Sequence, residues 1–490
     1  MILVLSTADT DLLSIQSVAP ARALAHGQEE LPAAFPPVLT ANATHVPTIA
    51  RLLEELSAAG KSAVVMRLHG GRRACPDSLD LVARTCRERS IPLVVVAADG
   101  QHDPDLTASC HLPLPAAGLS DAHTGGARDV TSATGLTISD RISTYFQYGG
   151  RRNALHLLRF VADALLGPAF GSEAPAPQPE DGVYHPPLLG DHTSLPAYLD
   201  VLSRSAVRPE RPRIGVLFYR AHWLSGNLAF IDGLIRAIER AGGEAFPVFC
   251  ASLRPPARST PSDDATQPYL LKRYFLDADD QPRVDALIST LSFAASTIST
   301  PVGEGAGLAS DQEETRGVEA ATEATGEAGI WFARLGVPIL QALVCSDARA
   351  VWTARQSGLN PLDVAMQVAL PEFDGRIITV PVSFKEANHL GFSESTGGRQ
   401  ESWPGPLPAG EGTRGVPRYV PDEERCDALA RQAVAWGRLR RTPADQRRVA
   451  VVLGSYSGKN GRIGNAVGLD TPASLVRVLE ALRNAGYIVG

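Results

Sequence analysis

Arg213-Ile214-Gly215-Val216-Leu217-Phe218-Tyr219-Arg220-Ala221-His222-Trp223-Leu224-Ser225-Gly226-Asn227 decides the fold. Ile214, Val216, Leu217 and Phe218 form a short continuous apolar run, the pattern of a parallel strand buried on both faces. Ile231, Leu234, Ile235 and Ile238 then recur at helical spacing, Gly242-Gly243 stops the helix, and Ala245-Phe246-Pro247-Val248-Phe249 supplies a second strand. This is a βαβ unit. Residues 219–227 read as the loop leaving the carboxyl end of its first strand, where open α/β sheets bind their ligands.

Upstream, residues 2–5, 63–68 and 92–97 read as strands and residues 48–59 and 77–89 as helices, an alternation that implies a parallel sheet. In Arg67-Leu68-His69-Gly70-Gly71-Arg72-Arg73 a glycine pair follows a strand directly. A tight turn needing positive φ accounts for it; the alternative is a backbone surface brought close to a ligand. Residues 101–129 read as loop. A helical segment follows at 145–153 and continues over 154–166, and Ala174-Pro175-Ala176-Pro177-Gln178-Pro179 marks a boundary.

Downstream, residues 284–290, 337–344 and 377–381 read as strands and 361–368 as a compact helix. Leu370-Pro371-Glu372-Phe373-Asp374-Gly375-Arg376 is a turn with two carboxylates and an arginine. Residues 422–441 form an amphipathic helix with Leu429, Ala433 and Trp436 on one side. Residues 301–329 and 389–417 are poor in large apolar residues and read as disordered insertions. The pattern then restarts: 448–453 reads as a strand, 454–469 as a glycine-bearing loop, Thr471-Pro472 opens a helix, and 486–490 begins a strand.

The fold class is therefore α/β, with several parallel-sheet βαβ domains, connecting helices and disordered insertions. The expected divisions are an N-terminal α/β domain with a trailing helix (1–173) and a Pro-rich connector with a helical segment (174–211). A central α/β domain (212–445) carries both insertions, and a further domain (446–490) is only begun. A domain rarely stops on the second strand of a crossover, so the chain reads as incomplete.

Composition excludes some roles. A formal charge of −7 over 490 residues gives no basic field to draw nucleic acid or an anionic membrane. The apolar start Met1-Ile2-Leu3-Val4-Leu5 lacks a basic lead and is too short for a signal peptide or membrane span. Six scattered cysteines include no Cys-x-x-Cys pair, which suits a reducing cytoplasm better than a zinc or disulfide framework.

His222, just past a strand end, is the first candidate for chemistry; a hydrogen-bonded structural histidine is the plain alternative. Glu372 and Asp374 read as solvated turn residues, or as a proton acceptor and a metal-holding carboxylate. Arg220, Arg376, Lys385, Lys459 and Arg462 are charges suited to an acidic substrate, or simply solvated. Gly454-Ser455-Tyr456-Ser457-Gly458-Lys459-Asn460-Gly461 fails as a phosphate loop, with three residues rather than four before Gly-Lys and Asn460 where magnesium needs a hydroxyl. Any ATP is then used by a partner.

Several of these motifs together resemble the large subunit of aerobic cobaltochelatase and, more distantly, the large subunit of magnesium chelatase. The resemblance is carried by the glycine pair in residues 67–72, residues 145–153, Tyr219-Arg-Ala-His-Trp-Leu-Ser-Gly-Asn227 and Gly358-Leu-Asn-Pro-Leu-Asp363. It continues through Val368-Ala-Leu-Pro-Glu-Phe-Asp-Gly375, Pro381-Val-Ser-Phe-Lys-Glu386 and Arg462-Ile-Gly-Asn-Ala-Val-Gly-Leu-Asp-Thr-Pro-Ala-Ser474. It spans nearly the whole chain apart from the two insertions and residues 18–45. The resemblance implies the N-terminal portion of a longer subunit that binds a corrin macrocycle and Co²⁺. It implies cobalt insertion into hydrogenobyrinic acid a,c-diamide on the aerobic route to cobalamin, with ATP and Mg²⁺ used by an AAA+ ATPase and an accessory partner, the CobS and CobT types.

On that resemblance His222 handles metal or ring, with Glu372 as a second metal ligand and the proton acceptor and Asp374 in support. Arg220, Asn227, Arg376, Lys385, Lys459, Arg462 and Asn465 bind substrate, and Asn465 with the 468–474 run favours the cobalt branch. Two rivals remain open: magnesium insertion into protoporphyrin, and a non-catalytic scaffold that docks the ATPase.

Overall fold

The computed structural model describes residues 1–19, 31–32, 34–98, 100, 103–112, 137–167, 170–190, 194–204, 211–251, 270–292, 332–386, 416–454, 464 and 468–489. They form two α/β units. The first holds β1 (Ile2–Ser6), β2 (Val38–Asn42), β3 (Ala63–Leu68) and β4 (Leu93–Ala97) in the order β2-β1-β3-β4, all parallel. Side chains of β1 alternate between faces, as period two requires. Leu3 and Leu5 pack with Ile49, Leu52 and Leu56 of α2 (Val46–Ala58) and Leu79, Val82 and Cys86 of α3 (Pro76–Glu88). Ile2 and Val4 face the other way. They meet Ile15 of α1 (Asp9–Gln16), and, past α4 (Pro104–Ser109), α5 (Ile138–Tyr148) and α6 (Gly150–Leu165).

The expected continuous helix after residue 145 breaks at Gly149, whose φ of 63° and ψ of −169° suit glycine alone. A Cβ there would lie 2.8 Å from Leu224 Cδ1, so the break also admits the second unit. The glycine pair after β3 is a turn with positive φ at Gly70 (84°) and Gly71 (64°), as its chemistry requires.

The second unit has seven strands: β5 (Asp181–Val183), β6 (Arg213–Tyr219), β7 (Glu244–Cys250), β8 (Ala286–Ser289), β9 (Ile339–Cys345), β10 (Ile377–Glu386) and β11 (Arg418–Pro421). Their order is β11-β10-β9-β8-β6-β7-β5, with the inner five parallel and both edges antiparallel. After α7 (Pro186–Leu189) and α8 (Leu195–Arg204), β6 leads into α9 (Arg220–Ser225) and α10 (Ala229–Arg240). Residues 220–225, expected as loop, are thus a short helix, ended by Gly226 in the left-handed region at φ 66°. Phe230, Ile231, Leu234, Ile235 and Ile238 of α10 cover one sheet face. After α11 (Arg349–Ala354), α12 (Pro361–Val364) and α13 (Leu370–Glu372), the helix α14 (Glu423–Arg441) joins α10 there. Leu429 and Ala433 of α14 are buried as expected, whereas Trp436 is 38% exposed. Tyr198, Tyr274, Phe275 and Phe332 fill the opposite face.

Residues 174–179 do not hang free. Asn153 donates to Ala176 O and accepts from Ala176 N, which fastens the Pro-rich stretch to α6. Residues 448–453 form no strand, and Val449 and Val452 are exposed. A strand is held by its ladder, and no ladder partner for these residues occurs among the described residues. Residues 486–489 likewise form none, while the expected helix is present as α15 (Thr471–Asn484). The expected insertions lie almost wholly outside the described residues. No helix among the described residues is long and apolar enough to cross a membrane.

Candidate functional site

The second sheet reverses its strand order between β6 and β8, and α9 leaves β6 at that switch point. Its first residue, Arg220, is buried and turned back toward the first unit. The guanidinium donates to Pro179 O (2.6 Å), Gln178 O (3.0 Å), Tyr148 O (3.3 Å) and Gln147 O (3.4 Å), with Glu180 at 3.5 Å. These carbonyls belong to the end of α5 and to the Pro-rich stretch. The arginine expected to meet substrate is therefore built in as a brace, because backbone carbonyls already take its donors.

His222, two residues on, is also buried. Its ring lies edge-on to Phe230 (5.0 Å between centroids) and to Tyr419 (5.5 Å). Nδ1 has no hydrogen-bond partner among the described residues. Burial, and after it the Lys385 charge, push the imidazole pKa from 6.5 down to about 4. The ring is neutral at physiological pH, with one nitrogen a donor and the other an acceptor.

Lys385 lies at the carboxyl end of β10 with Tyr419 as its antiparallel partner, and its ammonium sits 5.8 Å from the Tyr419 ring centre. Its ion-pair partner comes from the other unit: Asp9 Oδ2 at 2.5 Å, in the first turn of α1. Asn42 Nδ2 donates to the other Asp9 oxygen at 2.9 Å. Since Asp9 follows the carboxyl end of β1 and Lys385 closes that of β10, the two sheets turn their carboxyl edges toward one another. Burial alone lowers the lysine pKa, but Tyr419, Asp9 and Asp363 outweigh it and the net shift is upward. Asn227 is buried and its side chain accepts from Tyr419 N (3.1 Å), so it fixes β11 against the end of α9.

The acidic turn lies elsewhere. Residues 370–376 precede the amino end of β10, whereas His222 follows the carboxyl end of β6, and in a parallel sheet these are opposite edges. The crossover helices after β9 carry the chain there, as any βαβ connection must. Glu372 is exposed at that edge. The joint metal site expected from His222 and Glu372 is thus not assembled. Asp374, expected to support Glu372, instead pairs with Arg376 at 2.6 Å in the core, and Arg376 also donates to Leu291 O and Gln341 Oε1. Both side chains are wholly shielded from solvent.

Lys459, Arg462 and Asn465 lie outside the described residues. Among the described residues no three His, Cys, Asp or Glu side chains cluster as a metal would need. A cleft of about 360 Å³ on the first unit, lined by Arg72, Asp80, Arg87 and Asp105, includes none of the candidate residues. Asp9 and Tyr419 are the residues that sequence reading passed over. Asp9 had one signal, its place just after a strand end.

The CobN/Magnesium Chelatase family profile matches residues 143–490. The chain belongs to that family. It is 30% identical to the aerobic cobaltochelatase subunit CobN of Pseudomonas aeruginosa over 87% of this chain and 27% of that protein. Against CobN of a Sinorhizobium species the identity is again 30%, over 100% of the chain and 32% of the relative. The magnesium-chelatase H subunit of Cereibacter sphaeroides is 30% identical over 64% of the chain and 22% of the relative. The solved catalytic subunit of cobaltochelatase from Mycobacterium tuberculosis superposes with a TM-score of 0.57 at 32% identity, over 100% of this chain and 31% of that one. The chain spans about a third or less of the length of these relatives. Members of this family insert metal ions into tetrapyrroles, and the α/β architecture agrees with the shared fold.

Proposed function

We propose that this chain holds a corrin macrocycle during cobalt insertion, as part of a cobaltochelatase acting on hydrogenobyrinic acid a,c-diamide. Family membership supports the reaction class. One observation supports the place: a buried, neutral His222 with an unpartnered Nδ1 lies beside Lys385 where the carboxyl edges of the two sheets meet. Insertion exchanges an inner ring N–H proton for Co²⁺, which is a substrate here. A neutral imidazole accepts such a proton without first losing one, and its desolvated pocket excludes competing water.

On this reading His222 takes the proton-accepting role expected of Glu372, and Lys385 receives a peripheral carboxylate of the ring. Arg220 and Asn227 hold the helix that presents His222. Lys459, Arg462 and Asn465 remain assigned to substrate contact by resemblance. ATP and Mg²⁺ belong to an AAA+ partner that works with an accessory subunit. The cobalt branch is preferred over the magnesium branch because its relatives align with 87% and 100% of the chain, against 64% to 71% for the magnesium-chelatase relatives.

The test is a titration of the purified chain with hydrogenobyrinic acid a,c-diamide, followed by tryptophan quenching. Trp223 stacks on Phe249 at 4.5 Å beside His222 and is the natural reporter. Corrinoid binding that protoporphyrin does not match, and that His222→Ala weakens, is expected. Absence of binding to either macrocycle overturns the reading in favour of a scaffold that docks the ATPase.

A further inference from the structure

The Lys385 ammonium has three N–H donors, and Asp9 Oδ2 takes one of them at 2.5 Å. Asp9 is itself held from behind, by Asn42 Nδ2 at 2.9 Å on its other oxygen. It also stands in the first turn of α1, where the helix dipole favours a carboxylate. Asp9 and Asn42 both precede position 143, outside the residues the family profile matches. The chain Asn42–Asp9–Lys385 therefore crosses from one sheet to the other and ends beside His222.

We infer that Asp9 is a positioning residue of the proposed macrocycle site: its carboxylate anchors the Lys385 ammonium so that the remaining donors meet a tetrapyrrole carboxylate. The inference rests on the proposed function. The charged and titratable groups facing Lys385 are Asp9 on α1, Asp363 on α12, Tyr419 on β11 and His222 on α9. Of these only Asp9 comes from the first unit. The substrate site is thus completed by a part of the chain that the family profile leaves out.

The experiment uses the full chain and its Asp9→Asn, Asp9→Glu and Lys385→Met variants. Acetylation of Lys385, read by mass spectrometry across pH, gives the midpoint of its ammonium. In Asp9→Asn the midpoint falls, because burial is then opposed only by Tyr419 and Asp363. An unchanged urea-unfolding midpoint excludes simple unfolding as the cause, and Asp9→Glu restores the wild-type position. Corrinoid affinity is measured over the same range. Its alkaline limb moves down with the midpoint in Asp9→Asn and is absent in Lys385→Met. An alkaline limb that ignores Asp9→Asn, or a midpoint that does not move, overturns the inference alone. A wild-type chain that binds no corrinoid overturns the proposed function beneath it.

Discussion

Arg376 donates to Asp374 at 2.6 Å with both side chains wholly shielded from solvent. Removing either partner strands a buried charge. Arg376→Met and Asp374→Leu should each cost about 3–5 kcal/mol, and the double variant Asp374→Leu/Arg376→Met much less than the sum. Urea unfolding of the three variants measures this. Additive losses would show that the pair does not act as a unit.

His222 sets a pH dependence. Its folded pKa of about 4 lies below the ordinary 6.5, so the unfolded chain binds its proton more readily. The contribution of the neutral ring to stability is complete above pH 6.5 and is lost as pH falls toward 4. Across this window the denaturant midpoint of wild type should fall relative to that of His222→Phe as the medium becomes more acid. Parallel curves would mean that the ring is solvated.

Arg220 fastens the end of α5 and the Pro-rich stretch to the helix that carries His222. Arg220→Lys offers one compact charge in place of a planar fork and cannot reach four carbonyls. A loss of about 2–4 kcal/mol is expected, at the upper end of single-residue effects. Thermal unfolding followed by calorimetry should separate into two transitions as the units uncouple. One unshifted transition would contradict the bracing role.

Gly149→Ala adds a Cβ 2.8 Å from Leu224 Cδ1 and forces a non-glycine residue to φ 63°. The cost should be about 1–3 kcal/mol, and Leu224→Ala should not rescue it, since the backbone conformation remains strained. Full rescue would assign the cost to the clash instead.

Much of this fold was legible because its strands are buried on both faces. Ala63–Leu68 is six apolar or buried residues in a row, and no amphipathic helix has that pattern. Val38–Asn42 was not legible, for it is a half-buried edge strand whose Thr40 and Asn42 break the run. Six residues are too few for helical periodicity to show, so α9 read as loop. The site was legible only in part. His222 was marked by its place after a strand, but in sequence a buried ion pair such as Asp374–Arg376 looks the same as a solvated one. Asp9 and Lys385 are brought together only by the packing of two sheets, which no local pattern encodes.

One helix of six residues carries both Arg220 and His222. Its first side chain is tied to one half of the molecule, and its imidazole rests against Tyr419 in the other. Any tilt between the halves would therefore arrive at the imidazole as a change of aim. In mechanical terms α9 is a lever whose short arm carries His222, so a force applied far from that residue is felt at a single imidazole.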